Sequence, residues 1–323
     1  MQLRCCANIR LLRVGAYSPS HIKLRQHRAA STVASKDASL QQSPQSISQH
    51  QRQSRIQRQE ATAWPSLDLP RLHSQTPGVR VRQHLNPFTP TLQVPIPPLS
   101  WDSIYKHAGR PLAIDIGCGP GRFPLALATK LPAYNILGID IRGKLLDRAT
   151  AWAKLVGCAD TVHFCVANAT VSLYSMLSSY PGPIELINIQ FPDPHWKMRN
   201  RKKRIVQPQL VEGVAKLLAA GGRVFLQSDV QEVAVSMRDD FEYHGKSAFS
   251  IAPEHSQQDA VFYTDQMTVV PLSRDSLERQ AWNPTWQESG WLLHNPLGVP
   301  TEREVHTIDN SSPVYRVLLT ATR

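Results

Sequence analysis

The chain has 323 residues and a formal net charge of +11, which alone would suggest a nucleic-acid-binding protein. The charge is uneven, because residues 1–100 hold 13 Lys/Arg and 3 Asp/Glu (+10), whereas residues 101–323 hold 23 and 22 (+1). The five cysteines form no CxxC pair, which argues against a disulfide scaffold and a metal site. No apolar run approaches the ~20 residues that span a bilayer, which argues against a membrane protein.

The N-terminal region carries most of the net charge. Residues 1–60 are rich in Arg, Ser and Gln, and Asp37 and Glu60 are their only acids. This composition is typical of an organellar transit peptide. We therefore predict that residues 1–77 are a transit peptide or a disordered extension and that residues 78–323 form the folded domain. A basic tail that binds RNA, or nothing, is the alternative.

The folded domain alternates short apolar runs with amphipathic stretches. Strands are predicted at 112–117, 135–140, 162–168, 184–190 and 222–229, with helices at 143–156 and 206–219, the latter ending at Gly221-Gly222. Such alternation predicts an α/β, Rossmann-like fold, in which a mostly parallel sheet has helices on both faces. Residues 313–322 are expected to add an antiparallel C-terminal edge strand. Ligands of such sheets bind beyond the carboxyl ends of the strands.

A glycine-rich loop follows the first predicted strand. Asp115 precedes three alternate glycines, Gly117, Gly119 and Gly121, and Arg122 stands where a dinucleotide-binding loop would have its last glycine. The pattern resembles the S-adenosylmethionine loop of class I methyltransferases. In such a loop the acid can meet the ammonium group of the cofactor and the glycines leave room for it.

Two further polar residues end the next two predicted strands. Asp140 lies 19 residues after Gly121, where a carboxylate can accept hydrogen bonds from both ribose hydroxyls. Asn168 ends the third strand and could meet the adenine edge, or could serve a turn instead. These positions predict a nucleotide-like cofactor.

The fourth strand ends at Asp193, which lies between Pro192 and Pro194. The two prolines restrict the backbone, so the carboxylate is held in a turn that faces the predicted cofactor site. A turn-capping role is the alternative. Six cations follow within eight residues, and they could bind phosphates or form a solvated face: Lys197, Arg199, Arg201, Lys202, Lys203 and Arg204. His195 and Trp196 add surface of the kind that stacks on RNA bases.

The stretch FPDPHWKMRNRKKRIVQ resembles the signature of the tRNA (guanine-N(7)-)-methyltransferase family, in particular its cyanobacterial and plastid branch. The likeness continues in RVRQHLNP (80–87), ANATVSL (167–173), SSYPGP (178–183), LLAAGGRVFLQSD (217–229) and TERE (301–304). It covers the chain from about residue 78 to the end. The resemblance implies a class I methyltransferase fold, S-adenosylmethionine as the cofactor and tRNA as the partner.

The resemblance also implies roles for particular residues. Asp115, Asp140 and Asn168 would line the cofactor site, and Asp193 would be the catalytic carboxylate beside it. Contacts with the guanine would come from Lys197, Asp229, Thr301, Glu302, Arg303 and Glu304. The expected reaction is methylation of N7 of a variable-loop guanine, position 46 by family analogy. We expect no metal, a monomer or homodimer without an obligatory partner, and the chloroplast rather than the mitochondrion as its location.

Three other functions fit parts of the sequence. An adenine-directed class I methyltransferase would carry D/N-P-P-Y at the same strand end, but this chain has Asp193-Pro194-His195-Trp196. A non-catalytic RNA-binding subunit with the same fold would not need the intact glycine loop and Asp140. A dehydrogenase is disfavoured by Arg122.

Overall fold

The computed structural model describes residues 63–81, 85–196, 198–245, 247–255, 260–261 and 282–322. Its helices are α1 Leu69–Gln75, α2 Trp101–Ile104, α3 Arg122–Lys130, α4 Gly143–Leu155, α5 Ala169–Leu177, α6 Pro208–Leu217, α7 Gln231–Gly245 and α8 Glu302–Asp309. Its strands are β1 Leu112–Ile116, β2 Asn135–Asp140, β3 Val162–Val166, β4 Ile184–Gln190, β5 Leu218–Ser228, β6 Phe249–Ile251, β7 Ala260–Val261, β8 Trp291–Leu292 and β9 Tyr315–Ala321. No helix among these residues is long and apolar enough to cross a membrane.

Seven strands form one sheet in the order β3-β2-β1-β4-β5-β9-β6. The first five are parallel, which confirms the predicted architecture. The C-terminal strand β9 is antiparallel, as predicted, but it is not the outermost strand, because the three-residue β6 pairs with its outer side. The strands β1 and β2 are buried along their whole length, because both faces of a parallel sheet are covered by helices.

Two hydrophobic clusters cover the two faces of the sheet. One contains residues of α5, α6 and α7 and the strand residues Ile114 and Ile187. The other contains residues of α1, α3 and α4 and the strand residues Ala113 and Leu186. Successive strand residues therefore contribute to opposite clusters, as the pleat requires.

The packed domain begins before residue 78, where the sequence suggested its boundary. Trp64, Leu67, Leu69 and Leu72 are buried in the cluster that includes α3 and α4. The Trp64 indole Nε1 also donates a hydrogen bond to the Pro300 carbonyl at 2.8 Å. The predicted boundary is therefore too late, because residues 63–76 pack as part of the domain. Residues 1–62 lie outside the described residues.

The end of α6 also differs from the prediction. The helix stops at Leu217, and Gly221 and Gly222 lie within β5 rather than after the helix. The pairing of β4 with β5 shifts register here, and Gly221 has a φ of 74°. The glycines therefore serve an irregularity in the strand.

Candidate active site

The glycine loop joins β1 to α3, and all three of its alternate glycines have positive φ. Gly117 has a φ of 83° and nothing within 4 Å of the place where a Cβ would be. At Gly119 a Cβ would lie 3.6 Å from Nη2 of Arg142. These two glycines leave room on the open side of the loop, as predicted for a ligand.

Gly121 serves a different purpose from the one predicted. A Cβ there would lie 2.6 Å from the Ala149 Cβ and 2.9 Å from the Phe164 ring. Its φ of 80° also caps the amino end of α3 in the left-handed conformation. Gly121 therefore lets the loop pack on α4 and β3 rather than making room for a cofactor.

Asp115, the residue before Ile116 at the end of β1, is only 3% exposed. Burial raises the pKa of its carboxyl to about 7, and the nearby Asp140 carboxylate adds to the effect. The Gln190 side chain opposes the shift, since its Nε2 donates to Asp115 Oδ1 at 3.2 Å. Asp115 is thus a carboxylate that a positively charged ligand would stabilise.

Asp140 ends β2 with both carboxylate oxygens already bonded inside the protein. Oδ2 accepts from the Gly119 amide at 2.9 Å, and Oδ1 accepts from the Arg142 amide at 2.9 Å. The Arg142 guanidinium completes a bidentate pair at 2.9 and 2.7 Å. This pair raises the pKa of Arg142, and the charge of Asp193 contributes to the rise. Ribose hydroxyls would have to share Asp140 with Arg142.

Asn168 lies where β3 leads into α5, and its side chain forms the helix cap. Its Oδ1 accepts from the Thr170 amide at 3.2 Å, and its Nδ2 donates to the Pro87 carbonyl at 3.4 Å. The sequence allowed two roles for Asn168, contact with adenine or a structural role in a turn. In the structure its side chain has the structural role, as the cap of α5.

The turn that carries Asp193 is strained at both ends. Phe191 and His195 have φ values of 47° and 46°, in the left-handed region that non-glycine residues rarely adopt. The Phe191 amide donates to the Gln227 carbonyl at 2.8 Å, and Arg204 Nε donates to the Pro194 carbonyl at 3.0 Å. Strain of this kind costs about 1–3 kcal/mol per residue and persists only where the surroundings fix it.

The turn and the glycine loop lie at neighbouring places on the same edge of the sheet. β1 and β4 are adjacent and parallel, so both segments begin at carboxyl ends. The hydrogen bond between Gln190 and Asp115 joins these two ends directly. Asp193 itself is exposed. The geometry therefore brings the carboxylate turn and the predicted cofactor loop together.

The basic cluster divides into two groups with different contacts. Arg201 and Arg204 both pair with Glu232 of α7, at 3.1 and 2.7 Å, and their side chains are 12% and 9% exposed. Their predicted role as phosphate contacts does not fit this placement, because they fasten the Asp193 turn to α7. Arg199 and Lys202 are exposed and Lys203 is half-buried. Lys197 lies outside the described residues.

The C-terminal stretch forms the start of α8. Thr301 caps the helix, since its Oγ1 accepts from the Glu304 amide at 3.2 Å. Arg303 Nε donates to Asp229 Oδ2 at 2.9 Å, and Glu302 forms an ion pair with Arg122 at 2.8 Å. Of the predicted substrate residues, Asp229 and Arg303 are therefore paired with each other.

Glu304 is not presented to a substrate in this structure. It is 1% exposed, and its Oε1 accepts from Arg316 Nη2 at 2.7 Å. Its Oε2 accepts from Gln227 at 3.1 Å and from Asn295 at 2.8 Å. The side chain therefore anchors α8 to the sheet, which corrects the expectation that it contacts guanine.

Several residues at the site were not singled out by the sequence analysis. Arg142 holds Asp140, Glu232 holds the basic turn, and Gln190 and Gln227 link the strand ends. One signal was present in the sequence, since Gln190 and Gln227 each stand at or near the end of a predicted strand, directly after apolar residues. Among the residues that the structure describes, no group of three or more His, Cys, Asp or Glu could hold a metal ion.

Comparisons of the sequence with known proteins point to one family. Residues 109–282 match a protein-family model described as "Putative methyltransferase". A tRNA (guanine-N(7)-)-methyltransferase from a Synechococcus strain is 41% identical over 242 residues, which cover 75% of this chain and 86% of the relative. Proteins of the same name from Trichormus variabilis and a Synechocystis strain are 39% and 36% identical, over 76% of this chain and 97% and 98% of their own lengths. The chain therefore belongs to the tRNA (guanine-N(7)-)-methyltransferase family.

Proposed function

We propose that the chain transfers a methyl group from S-adenosylmethionine to N7 of a guanine in the tRNA variable loop, at position 46. Methylation of tRNA at guanine N7 follows from membership of the family, and the position in the variable loop is the finer part of the proposal. The observation that supports it most is the meeting of the Asp193 turn with the glycine loop.

The residues at the sheet edge fit S-adenosylmethionine. Gly117 and Gly119 leave an open side on the loop, and Asp115 offers a carboxylate that a cationic group would stabilise. Asp140 offers acceptors for the ribose hydroxyls once Arg142 shares or releases it. When bound, this cofactor supplies an electrophilic methyl group on a sulfonium.

The reaction requires little acid–base catalysis from the protein. Guanine N7 has an in-plane lone pair and no proton, so its attack needs no general base. The chain must hold the base in line, with reacting atoms roughly 3–3.5 Å apart. The methylated base is cationic, so a fixed carboxylate at the site stabilises the charge that develops. We assign this role to Asp193, because its turn is held by the two neighbouring prolines and by the hydrogen bond from Arg204 to the Pro194 carbonyl.

We propose that the tRNA backbone lies along Arg199, Lys202 and Lys203. The side chains of Arg199 and Lys202 are exposed beside the Asp193 turn. Cations of this kind bind phosphates and fix the register of an RNA without reading its sequence. Trp196, which is 61% exposed, offers a flat surface for an unstacked base.

We further propose that the N-terminal segment directs the protein to an organelle, the chloroplast in preference to the mitochondrion. Its Arg- and Ser-rich, acid-poor composition supports import. A fluorescent protein fused to residues 1–62 is expected to enter the organelle, and cytosolic fluorescence would contradict import. The catalytic unit is proposed to be a monomer or homodimer that needs no different protein as a partner, which methylation by the purified chain alone would test.

The proposal is tested by incubating the purified chain with labelled cofactor and unmodified tRNA. Chemical cleavage at 7-methylguanine then maps the modified base, and a tRNA with adenine in place of guanine 46 is the matched control. We expect label at guanine 46 only. Label on adenine would favour the adenine-directed alternative, and no label would favour a non-catalytic RNA-binding subunit.

A further inference from the structure

A row of polar side chains crosses four neighbouring strands beside the proposed active site. The strand register sets Gln190 of β4 opposite Gln227 of β5, and Gln227 opposite Arg316 of β9. Asp115 stands near the end of β1, the neighbour of β4 on its other side. All four residues are at least nine-tenths buried. The fold therefore assembles a buried polar row from strands that are far apart in the sequence.

The row is joined by hydrogen bonds from end to end. Gln190 Nε2 donates to Asp115 Oδ1 at 3.2 Å, and Gln190 Oε1 accepts from Gln227 Nε2 at 2.6 Å. Gln227 Nε2 also donates to Glu304 Oε2 at 3.1 Å, and Arg316 holds the other Glu304 oxygen at 2.7 Å. Glu304 lies in the first turn of α8. The bonds thus connect the cofactor-loop acid with the amino end of α8.

The hydrogen bonds of Gln227 satisfy only one end of its side-chain amide. The side chain is fully buried, and its Oε1 has no hydrogen-bond partner among the described residues. An unpaired buried acceptor destabilises a folded protein. An apolar side chain of similar size would remove this unpaired oxygen, but it would also remove the hydrogen bonds from Nε2 to Gln190 and Glu304. A role in holding the site accounts for a glutamine here.

We infer that Gln190 and Gln227 are positioning residues that hold the start of α8 in register with Asp115. The inference rests on the proposed function, because the family resemblance implies that Thr301, Glu302 and Arg303 at this end of α8 contact the guanine of the tRNA. With the two glutamines in place, cofactor bound at Asp115 and tRNA bound at α8 strengthen each other's binding. Such coupling is reciprocal, so the factor by which the cofactor raises the affinity for tRNA equals the factor by which tRNA raises the affinity for the cofactor.

The first test replaces Gln227 in the full-length chain by methionine, which keeps the volume and removes the hydrogen bonds. We expect the KM for tRNA to rise about 10-fold while kcat is retained, and the tRNA-dependent gain in cofactor affinity to disappear. Asn188→Leu is the matched control. Asn188 is also fully buried, on the same face of β4, but its Nδ2 donates to the Ile114 carbonyl, outside the row.

The control separates positioning from general loss of stability. Both variants are expected to melt at a lower temperature, but only Gln227→Met should change the KM for tRNA. An unchanged KM in Gln227→Met, or an equal rise in Asn188→Leu, would overturn the inference. A wild-type chain that methylates no tRNA would instead contradict the proposed function.

The second test uses Gln190→Met and measures cofactor binding by calorimetry across pH, so it does not depend on methyl transfer. The Gln190 hydrogen bond lowers the pKa of Asp115, whereas burial and Asp140 raise it. Among the described residues, Cys118 in the glycine loop and Arg142 just before α4 also interact with these carboxylates, and the charge of Asp193 acts on Arg142. We expect the pH midpoint of cofactor binding to move upward in Gln190→Met and to stay unchanged in Asn188→Leu. An unmoved midpoint in Gln190→Met would overturn the inference.

Discussion

At the scale of single residues, the site holds two carboxylates in very different surroundings. Asp115 is buried, and its pKa is raised to about 7, so folding disfavours its charged form. Asp193 is exposed on a strained turn that several contacts hold in place. The Asp115 carboxylate therefore lowers the stability of the protein near neutral pH. A bound cationic ligand would offset this loss, because it stabilises the charged form.

Asp115→Asn tests this view through the pH dependence of stability. A carboxyl whose folded pKa lies above its unfolded value contributes stability below pH 4, and this contribution is lost as the pH rises to about 7. The asparagine variant lacks that loss. We therefore compare the free energy of unfolding of the variant with that of the wild type at each pH. The variant's advantage should be larger at pH 8 than at pH 4, by on the order of 3 kcal/mol.

Denaturant unfolding of both proteins at the two pH values measures the difference. Asp239, whose pKa is raised to about 6 by burial, titrates in both proteins and cancels in the comparison. The variant should also bind S-adenosylmethionine more weakly. Parallel pH profiles for the two proteins would show that Asp115 is not the titrating group.

At the scale of elements, the turn Met198–Lys203 and the residues next to it have two roles. Some of their cations attach the turn to a neighbouring helix, and others remain exposed. Arg201 and Arg204 fasten the turn to Glu232 of α7. The side chains of Arg199 and Lys202 are exposed and lie outside this pairing. Lys202 Nζ, for example, lies 5.6 Å from the centre of the Phe88 ring. A cluster that looks uniform in sequence is therefore divided by a single glutamate on another helix.

Replacing Arg199, Lys202 and Lys203 together by alanine should weaken tRNA binding without unfolding the protein. The slope of log Kd against log salt should fall by about 0.7–0.9 for each phosphate contact that is lost. Titrations of tRNA at several salt concentrations measure this slope. An unchanged slope would mean that the three cations only face solvent.

Arg201→Ala together with Arg204→Ala is the matched comparison. This pair removes the contacts to Glu232 and to the Pro194 carbonyl, so the thermal stability should fall and the Asp193 turn should loosen. Removing one partner of a buried charge leaves the other uncompensated. Equal stability in both sets of variants would contradict the division of the cluster.

The segment 63–76 allows a second prediction at this scale. A chain that begins at residue 63 should be as stable as the full chain. A chain that begins at residue 78 loses four buried apolar side chains, each of which stabilises the fold by roughly 1.5–3 kcal/mol. Its melting temperature should fall by roughly 10 °C or more. Equal melting temperatures for the two truncations would show that the segment does not belong to the domain.

At the scale of the whole molecule, the parallel sheet was predictable because its strands are short, mostly apolar runs that alternate with amphipathic stretches. The position of Asp193 and of the glycine loop followed from the rule that parallel strands end at one edge of the sheet. The α1 segment was missed because its few apolar residues lie next to a stretch of basic, polar composition. The partners of Arg204, Glu304 and Gln227 could not be predicted, since they depend on strand register and helix placement.

The most direct test of the account is the single-turnover rate of methyl transfer by Asp193→Asn, with cofactor and tRNA both saturating. We predict a rate at least ~100-fold below that of the wild type, the scale of losing one preorganised electrostatic group, with binding of both partners unchanged. Asp160→Asn, which alters an exposed carboxylate just before the amino end of β3, is the control and should react at the wild-type rate. Methyl transfer by Asp193→Asn at the wild-type rate would contradict the account.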